Sequence, residues 1–170
     1  MRITRCLSLA LALVACDTAQ SADVPALTLG AGGFALHLPP AMQASLNALA
    51  PGFRAVSIAT FRSDVSQAAA EGGGVPSLFA VVGDFDGDGT LDAVVEGAVP
   101  KDTGLVVIAI LNNGAKPVAM QVTRFPTYDA DAVGIYLTKP ATGASGAFVV
   151  VNYPDASTTY VFRGGKVVAQ

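Results

Sequence analysis

Residues 78–97 read LFAVVGDFDGDGTLDAVVEG, two short apolar runs joined by a loop rich in aspartate and glycine. Valine-rich runs of this length, bounded by turn residues, are typical of β-strands. Similar runs follow along the chain, and the turn signals Asn-Asn-Gly at 112–114 and Gly-Gly at 164–165 suit tight hairpins. The pattern predicts strands over residues 77–82, 91–96, 105–111, 117–123, 133–137, 148–152, 158–163 and 166–169.

One helix is predicted ahead of these strands. Met42, Leu46 and Leu49 recur at the spacing of one helix face, after two prolines at 39–40 and before Pro-Gly at 51–52. We therefore expect an α+β fold dominated by β-structure. Its antiparallel, meandering sheet would have the helix at residues 40–50 packed on one face.

Three other segments have weaker patterns. Residues 30–40 alternate loosely between apolar and other positions and predict an edge strand or an extended lead-in, and residues 53–61 predict a strand. Residues 63–75 are rich in alanine and then glycine, which predicts a flexible connection with about one helical turn. The glycines at 72–74 do not indicate a phosphate-binding loop, because no Gly-Lys-Ser/Thr follows them.

The loop between the first two strands of the series has aspartates at positions 1, 3, 5 and 9 of residues 84–92. Four carboxylates so close together repel one another unless they are well solvated or a cation lies among them. Gly87 and Gly89 let the backbone curl so that alternate side chains converge. Oxygen ligands without histidine or cysteine favour Ca²⁺ over zinc or copper. The predicted calcium ligands are the side chains of Asp84, Asp86, Asp88 and Asp92 and the carbonyl of Thr90.

The register of this loop separates it from an EF-hand, which needs a glutamate at position 12, here Val95, and helices on both sides. The stretch VVGDFDGDGTLDAVVEG (81–97) instead resembles the FG-GAP/VCBS class of calcium loops of integrin-type β-propeller blades. The resemblance implies the same ligand positions and a calcium ion that stiffens the blade. The motif occurs once and the strands are too few for a closed ring, so we expect a single propeller-blade-like unit. A metal-free acidic hairpin is the alternative.

The N-terminus has the features of an export signal. Arg2 and Arg5 precede an apolar run over residues 6–15, which is too short to span a bilayer. Residues 13–16 (Leu-Val-Ala-Cys) resemble a bacterial lipobox, which implies cleavage before Cys16 and lipidation of that cysteine. Ordinary secretion, with cleavage after residue 21, is the alternative and would give a soluble secreted protein.

These features predict the organisation of the chain. A lipoprotein signal peptide spans residues 1–15, the lipidated Cys16 and a flexible tether span 16–26, and a single β-rich calcium-loop domain spans 27–170. Cleavage would remove Cys6 with the signal peptide, and Cys16 would carry the lipid, so no thiol would remain to form a disulfide. The formal net charge of −3 argues against a nucleic-acid partner.

Other candidate residues have weaker patterns. His37, the single histidine, lies before two prolines with no nucleophile signature beside it, which favours a surface or packing role. Asp129 and Asp131 resemble a fragment of a second acidic loop but lack its third aspartate and its glycine. Glu71 and this aspartate pair are candidate glycosidase carboxylates, although the chain has no tryptophan to stack on a sugar.

The leading interpretation is a non-enzymatic calcium-binding module of the bacterial envelope, anchored to a membrane through Cys16 and facing the periplasm or the exterior. Its sheet would present a surface to a protein or polysaccharide partner. Two alternatives stay open. One is an envelope hydrolase with a structural calcium and an unrecognised carboxylate site, and the other is a protein inhibitor that uses a protruding loop at 71–76.

Overall fold

The computed structural model describes residues 24–30, 33–71, 77–100, 104–114, 116–126, 129, 132–140 and 146–170. The predicted signal peptide, Cys16, most of the predicted tether and Asp131 lie outside these ranges. The described helices are α1 (Pro40–Leu49) and α2 (Ser63–Glu71), with a 3-10 turn at Ile58–Thr60. The described strands are β1 (Ala26–Gly30), β2 (Gly33–His37), β3 (Arg54–Ala55), β4 (Ala80–Gly83), β5 (Asp92–Ala98), β6 (Leu105–Leu111), β7 (Val118–Phe125), β8 (Ile135–Thr138), β9 (Ala147–Asn152), β10 (Ala156–Arg163) and β11 (Lys166–Ala169).

Most of the strands belong to two antiparallel meanders. The first sheet contains β4, β5, β6 and β7 paired in chain order, with β3 added at the edge of β5. The second sheet contains β8, β9, β10 and β11, also paired in chain order. β1 and β2 form a separate hairpin. Such order is expected where short connections join neighbouring strands, because antiparallel pairs need no crossover.

The first sheet is the middle layer of the molecule, and all seven residues of β6 are buried. Val106, Ile108 and Ile110 belong to the core that includes Met42 and Leu46 of α1, so this face lies under the helices. The alternate side chains of β6 belong to a second core shared with β8 and β9. A strand covered on both faces has a continuous apolar sequence, which is what residues 105–111 show.

Phe148 of β9 is the centre of the core between the two sheets and has no exposed surface. Its ring lies 5.5 Å from that of Phe85 in an edge-on arrangement and 5.5 Å from that of Tyr160 in a stacked one, measured between centroids. Aromatic pairs in these geometries add attraction beyond the area they bury. Phe148 therefore joins the second sheet to the loop that leaves β4.

The predicted fold class is confirmed, since the described chain is β-dominated and antiparallel with α1 packed on a sheet. The predicted strands at 105–111 and 166–169 agree with β6 and β11 residue for residue. Gly164 and Gly165 form the predicted tight turn with φ of 58° and 73°. Most strands belong to two sheets that share a core, and β1 and β2 form a third, whereas the prediction had a single sheet.

Two local predictions were wrong. Residues 53–61 form a strand only at Arg54–Ala55, because β4 already pairs with Asp92–Val95 and leaves β3 only the end of the β5 edge. Residues 63–71 form a nine-residue helix rather than one turn. Val65 and Ala69 are four residues apart and both buried, so tertiary packing stabilises a helix that the alanines already favour.

We predict that Phe148→Ala destabilises the protein by about 3–5 kcal/mol, because it leaves a cavity where the two sheets meet. The matched control is Leu29→Ala on β1, whose side chain is 71% exposed and whose truncation should cost less than about 0.5 kcal/mol. Urea unfolding measures both variants. Equal losses would contradict the assignment of Phe148 to a shared core.

Candidate metal centre

The acidic loop spans residues 84–91 and connects β4 to β5, whose last paired residues are Gly83 and Asp92. Gly87 and Gly89 have φ of 81° and 89°, in the region that other residues rarely adopt. Positive φ at these two glycines lets the backbone curl within the loop. The resulting curl is the one that the sequence pattern predicts.

Three of the four predicted carboxylates come together in this loop. Asp84, Asp86 and Asp88 each offer a carboxylate oxygen, and these oxygens lie within 4.8 Å of one another. Asp84 is half-buried, whereas Asp86 and Asp88 are exposed to solvent. The group can therefore hold a metal ion that enters from the surface. Its all-oxygen composition matches hard divalent cations better than zinc or copper.

Backbone amides fix the orientation of these carboxylates. Both oxygens of Asp84 accept hydrogen bonds, Oδ1 from the amide of Gly87 (2.8 Å) and Oδ2 from the amide of Gly89 (3.1 Å). Oδ1 of Asp86 accepts from the amide of Asp88 at 3.2 Å. The loop thus holds its carboxylates close together through its own N–H groups, which partly offset the mutual repulsion of the charges.

Thr90 contacts both Asp88 of the cluster and Asn112 in the turn after β6. Its hydroxyl lies 2.6 Å from Oδ1 of Asp88 and 2.7 Å from the carbonyl oxygen of Asn112, and its amide donates to the same aspartate oxygen at 2.7 Å. Hydrogen bonding from the Thr90 hydroxyl, followed by that from its amide, lowers the pKa of Asp88 below its ordinary value. This shift favours the ionised form of Asp88, the form in which a carboxylate can bind a cation. The role of the Thr90 carbonyl as a ligand stays a prediction.

Asp92, the fourth predicted ligand, occupies a different environment from the other three. It is fully buried, and its oxygens accept hydrogen bonds from the amides of Phe85 and Asn112, both at 2.8 Å. Burial raises the pKa of Asp92, while the two amides oppose that shift. The side chain ties the start of the loop to the turn after β6. The role of the Asp92 carboxylate as a metal ligand stays a prediction.

Two residues outside the predicted ligand set anchor the loop. Phe85 is 4% exposed and reaches into the core between the sheets, where its ring lies over Gly83. A β-carbon at Gly83 would lie 3.2 Å from that ring, so glycine leaves room for it. Asn112 contacts both Thr90 and Asp92 through its backbone. An aromatic residue between two aspartates was the sequence signal for Phe85, but Asn112 resembled an ordinary turn residue.

A cavity of about 320 Å³ lies beside the loop. Asp84 and Asp86 line one side, and Phe162, Arg163 and the C-terminal Gln170 line another. The cavity is therefore lined both by acidic residues of the loop and by an arginine of β10.

The remaining candidate residues lie away from this centre. His37 is exposed at the end of β2, opposite Ala26. Glu71 is exposed at the end of α2 and accepts a hydrogen bond from Gln67 at 2.8 Å. Neither Glu71 nor Asp129 lines the cavity beside the loop. Asp131, the other half of the predicted carboxylate pair, is outside the described residues.

No protein-family model, no curated protein and no solved structure matches this chain. Among the described residues, no helix has the length and apolar character needed to cross a membrane.

We predict that Asp92→Asn and Asp88→Asn, the same chemical change in one loop, have different effects in metal-free buffer. Asp92→Asn places an amide group against two buried backbone N–H donors and should lower the free energy of unfolding by about 2 kcal/mol. Asp88→Asn changes an exposed group and should leave stability in chelator nearly unchanged. Urea unfolding in the presence of EDTA measures both. Equal effects would show that Asp92 has no separate structural role.

Proposed function

We propose that the chain is a calcium-binding module of the bacterial cell envelope, in which the acidic loop holds one Ca²⁺ in a structural role. The observation that carries the proposal is the convergence of Asp84, Asp86 and Asp88 within 4.8 Å. Carboxylates that approach this closely favour a divalent cation, and an all-oxygen site favours calcium. The resemblance of residues 81–97 to FG-GAP/VCBS loops supports the same ion.

A bound ion would act on the fold through the residues that anchor the loop. Phe85 connects the loop to the core between the sheets, and Asp92 connects it to the turn after β6. Calcium would offset most of the negative charge of the three converging carboxylates and would therefore hold the ends of β4 and β5 in register. This role needs no catalytic group, and we propose a non-enzymatic binding or structural protein.

The proposed partner is a protein or a polysaccharide that contacts the domain surface. The cavity beside the loop supports this idea, because Arg163 lines it together with Asp84 and Asp86. An anionic group of a partner would pair with the arginine side chain. The domain would meet such a partner outside the cytoplasm, tethered to the membrane through Cys16.

The central experiment is calorimetric titration of the soluble form from residue 17 with Ca²⁺. We expect one site with a Kd of about 10⁻⁴–10⁻³ M, the range of extracellular modules. At about ten times the Kd, calcium should add roughly 1.4 kcal/mol to the free energy of unfolding. Asp88→Asn should lose both the heat and the stabilisation.

The matched control is Asp155→Asn, which removes an exposed carboxylate from the β9–β10 turn and should leave calcium binding intact. Mg²⁺ at the same concentration should stabilise the parent less than Ca²⁺, because it is smaller and requires near-octahedral geometry. Absence of heat and of any stabilisation up to several millimolar Ca²⁺ would overturn the calcium proposal. The loop would then be a metal-free acidic hairpin.

The proposed anchor is tested separately in a bacterial host. We expect the full-length protein to fractionate with membranes and to incorporate a labelled fatty acid. Cys16→Ala should abolish the label and release the protein from the membrane fraction, whereas Cys6→Ala should change neither. Membrane association without the label, or with Cys16→Ala, would contradict lipidation at this position.

A further inference from the structure

Glu96 lies at the point where β5 changes its partner. Asp92–Val95 pair with β4 and Gly97–Ala98 pair with β3, so Glu96 falls between the two pairings. Its amide donates to the carbonyl of Phe79 at 2.9 Å, and its carbonyl accepts from the amide of Val56 at 3.2 Å. We refer to this junction, formed by Val56, Phe79 and Glu96, as the seam.

The side chain of Glu96 is completely buried. Because side chains alternate along a strand, the Glu96 side chain projects to the same side of the sheet as that of Val94, which belongs to the core between the two sheets. Its cross-strand neighbour on β6 is Val107, a residue of the same core. Neither carboxylate oxygen has a hydrogen-bond partner among the described residues. The neighbouring elements contribute apolar side chains to this core, among them Val81 of β4, Leu105 of β6, Ile135 and Leu137 of β8, and Phe148 and Val150 of β9.

Within the described part of the chain, few charged or titratable groups share this side of the first sheet. Arg54 of β3 lies opposite Ala98, one step beyond Glu96, but it is exposed at the rim. Asp92 lies at the other end of β5 with its oxygens engaged by backbone amides, and Tyr160 of β10 packs against the core through its ring. None of them forms a hydrogen bond with Glu96.

A carboxyl group in such a site is far less costly when neutral than when ionised. The neutral acid loses only the hydration of a polar group. The carboxylate would place a charge in an apolar core where no described residue offers it a cation or an N–H donor. Burial accordingly raises the pKa of Glu96 well above its ordinary value of 4.5.

We propose that Glu96 is a proton-dependent latch: the two sheets close over its protonated carboxyl group, and its ionisation opens the seam. The first link to open would be the contact between Val56 and Glu96. It is a single hydrogen bond at 3.2 Å between β5 and the residue that follows the two-residue strand β3. Water entering there reaches the carboxylate without unfolding β6.

The direction of the pH effect follows from proton linkage. The folded protein keeps the Glu96 proton at pH values where the unfolded chain has lost it. The stabilising effect of this protonation is fully present below about pH 4.5 and is lost as the pH rises toward the pKa of the folded state. Over that window the unfolding constant should increase by about tenfold for each pH unit.

The test is urea unfolding of the purified protein in EDTA between pH 5 and pH 9. The parent should become less stable with rising pH, whereas Glu96→Gln should show a much smaller slope because its side chain cannot ionise. Glu96→Met, which removes the titrating group and fills a similar volume, should lose the slope as well. Glu71→Gln, which neutralises an exposed glutamate, should keep the full slope of the parent.

Hydrogen exchange in the parent alone provides a second measurement that does not depend on any variant folding. Protection of the Val56 amide should fall as the pH rises, after correction for intrinsic exchange, while amides of β6 remain protected. A parent whose stability and Val56 protection do not change with pH would overturn the proposal. A slope retained in both Glu96→Gln and Glu96→Met would also overturn it.

Discussion

Burial of the two central strands of the first sheet, β5 and β6, is the constraint on which the other elements depend. β6 has no exposed residue, so helices must cover one side of it and a second sheet the other. The hydroxyl of Ser45 in α1 accepts a hydrogen bond from the Ala119 amide of β7 at 2.9 Å, which fixes the helix against the sheet edge. The described residues contain no cysteine, so the structure they form derives its stability from this layered core rather than from covalent links.

The geometry of the acidic loop depends on the same layers. Phe85 packs against Phe148 of the second sheet, and Asp92 connects the loop to the turn after β6 through the Asn112 amide. The three converging carboxylates therefore belong to a loop whose ends are fixed by buried contacts. The residues that position the loop are therefore buried, whereas two of the three converging aspartates are exposed.

The local pattern of the sequence was sufficient for β6, for the Gly164–Gly165 turn and for the convergence of Asp84, Asp86 and Asp88. Each depends on residues close together in the chain. The division into two sheets was not predictable, because alternation shows which side chains share a face but not which sheet receives them. The short β3 and the length of α2 depend on tertiary partners, namely the β5 edge already occupied by β4 and the core under Val65. The burial of Glu96 also depends on tertiary partners. It was not predictable from the sequence, because a glutamate at a strand end normally faces water.

The continuous apolar character of β6 has a consequence before the protein folds. Residues 105–111 (LVVIAIL) form an uncharged, β-prone stretch without proline, the composition of segments that assemble into cross-β aggregates when exposed. Charged residues stand on both sides, Lys101 and Asp102 before it and Lys116 after it, in the positions of gatekeepers that discourage such assembly. β6, which is central to the native core, is thus also prone to aggregation in the newly made chain. Early pairing of β6 with β5 and β7 would remove this tendency.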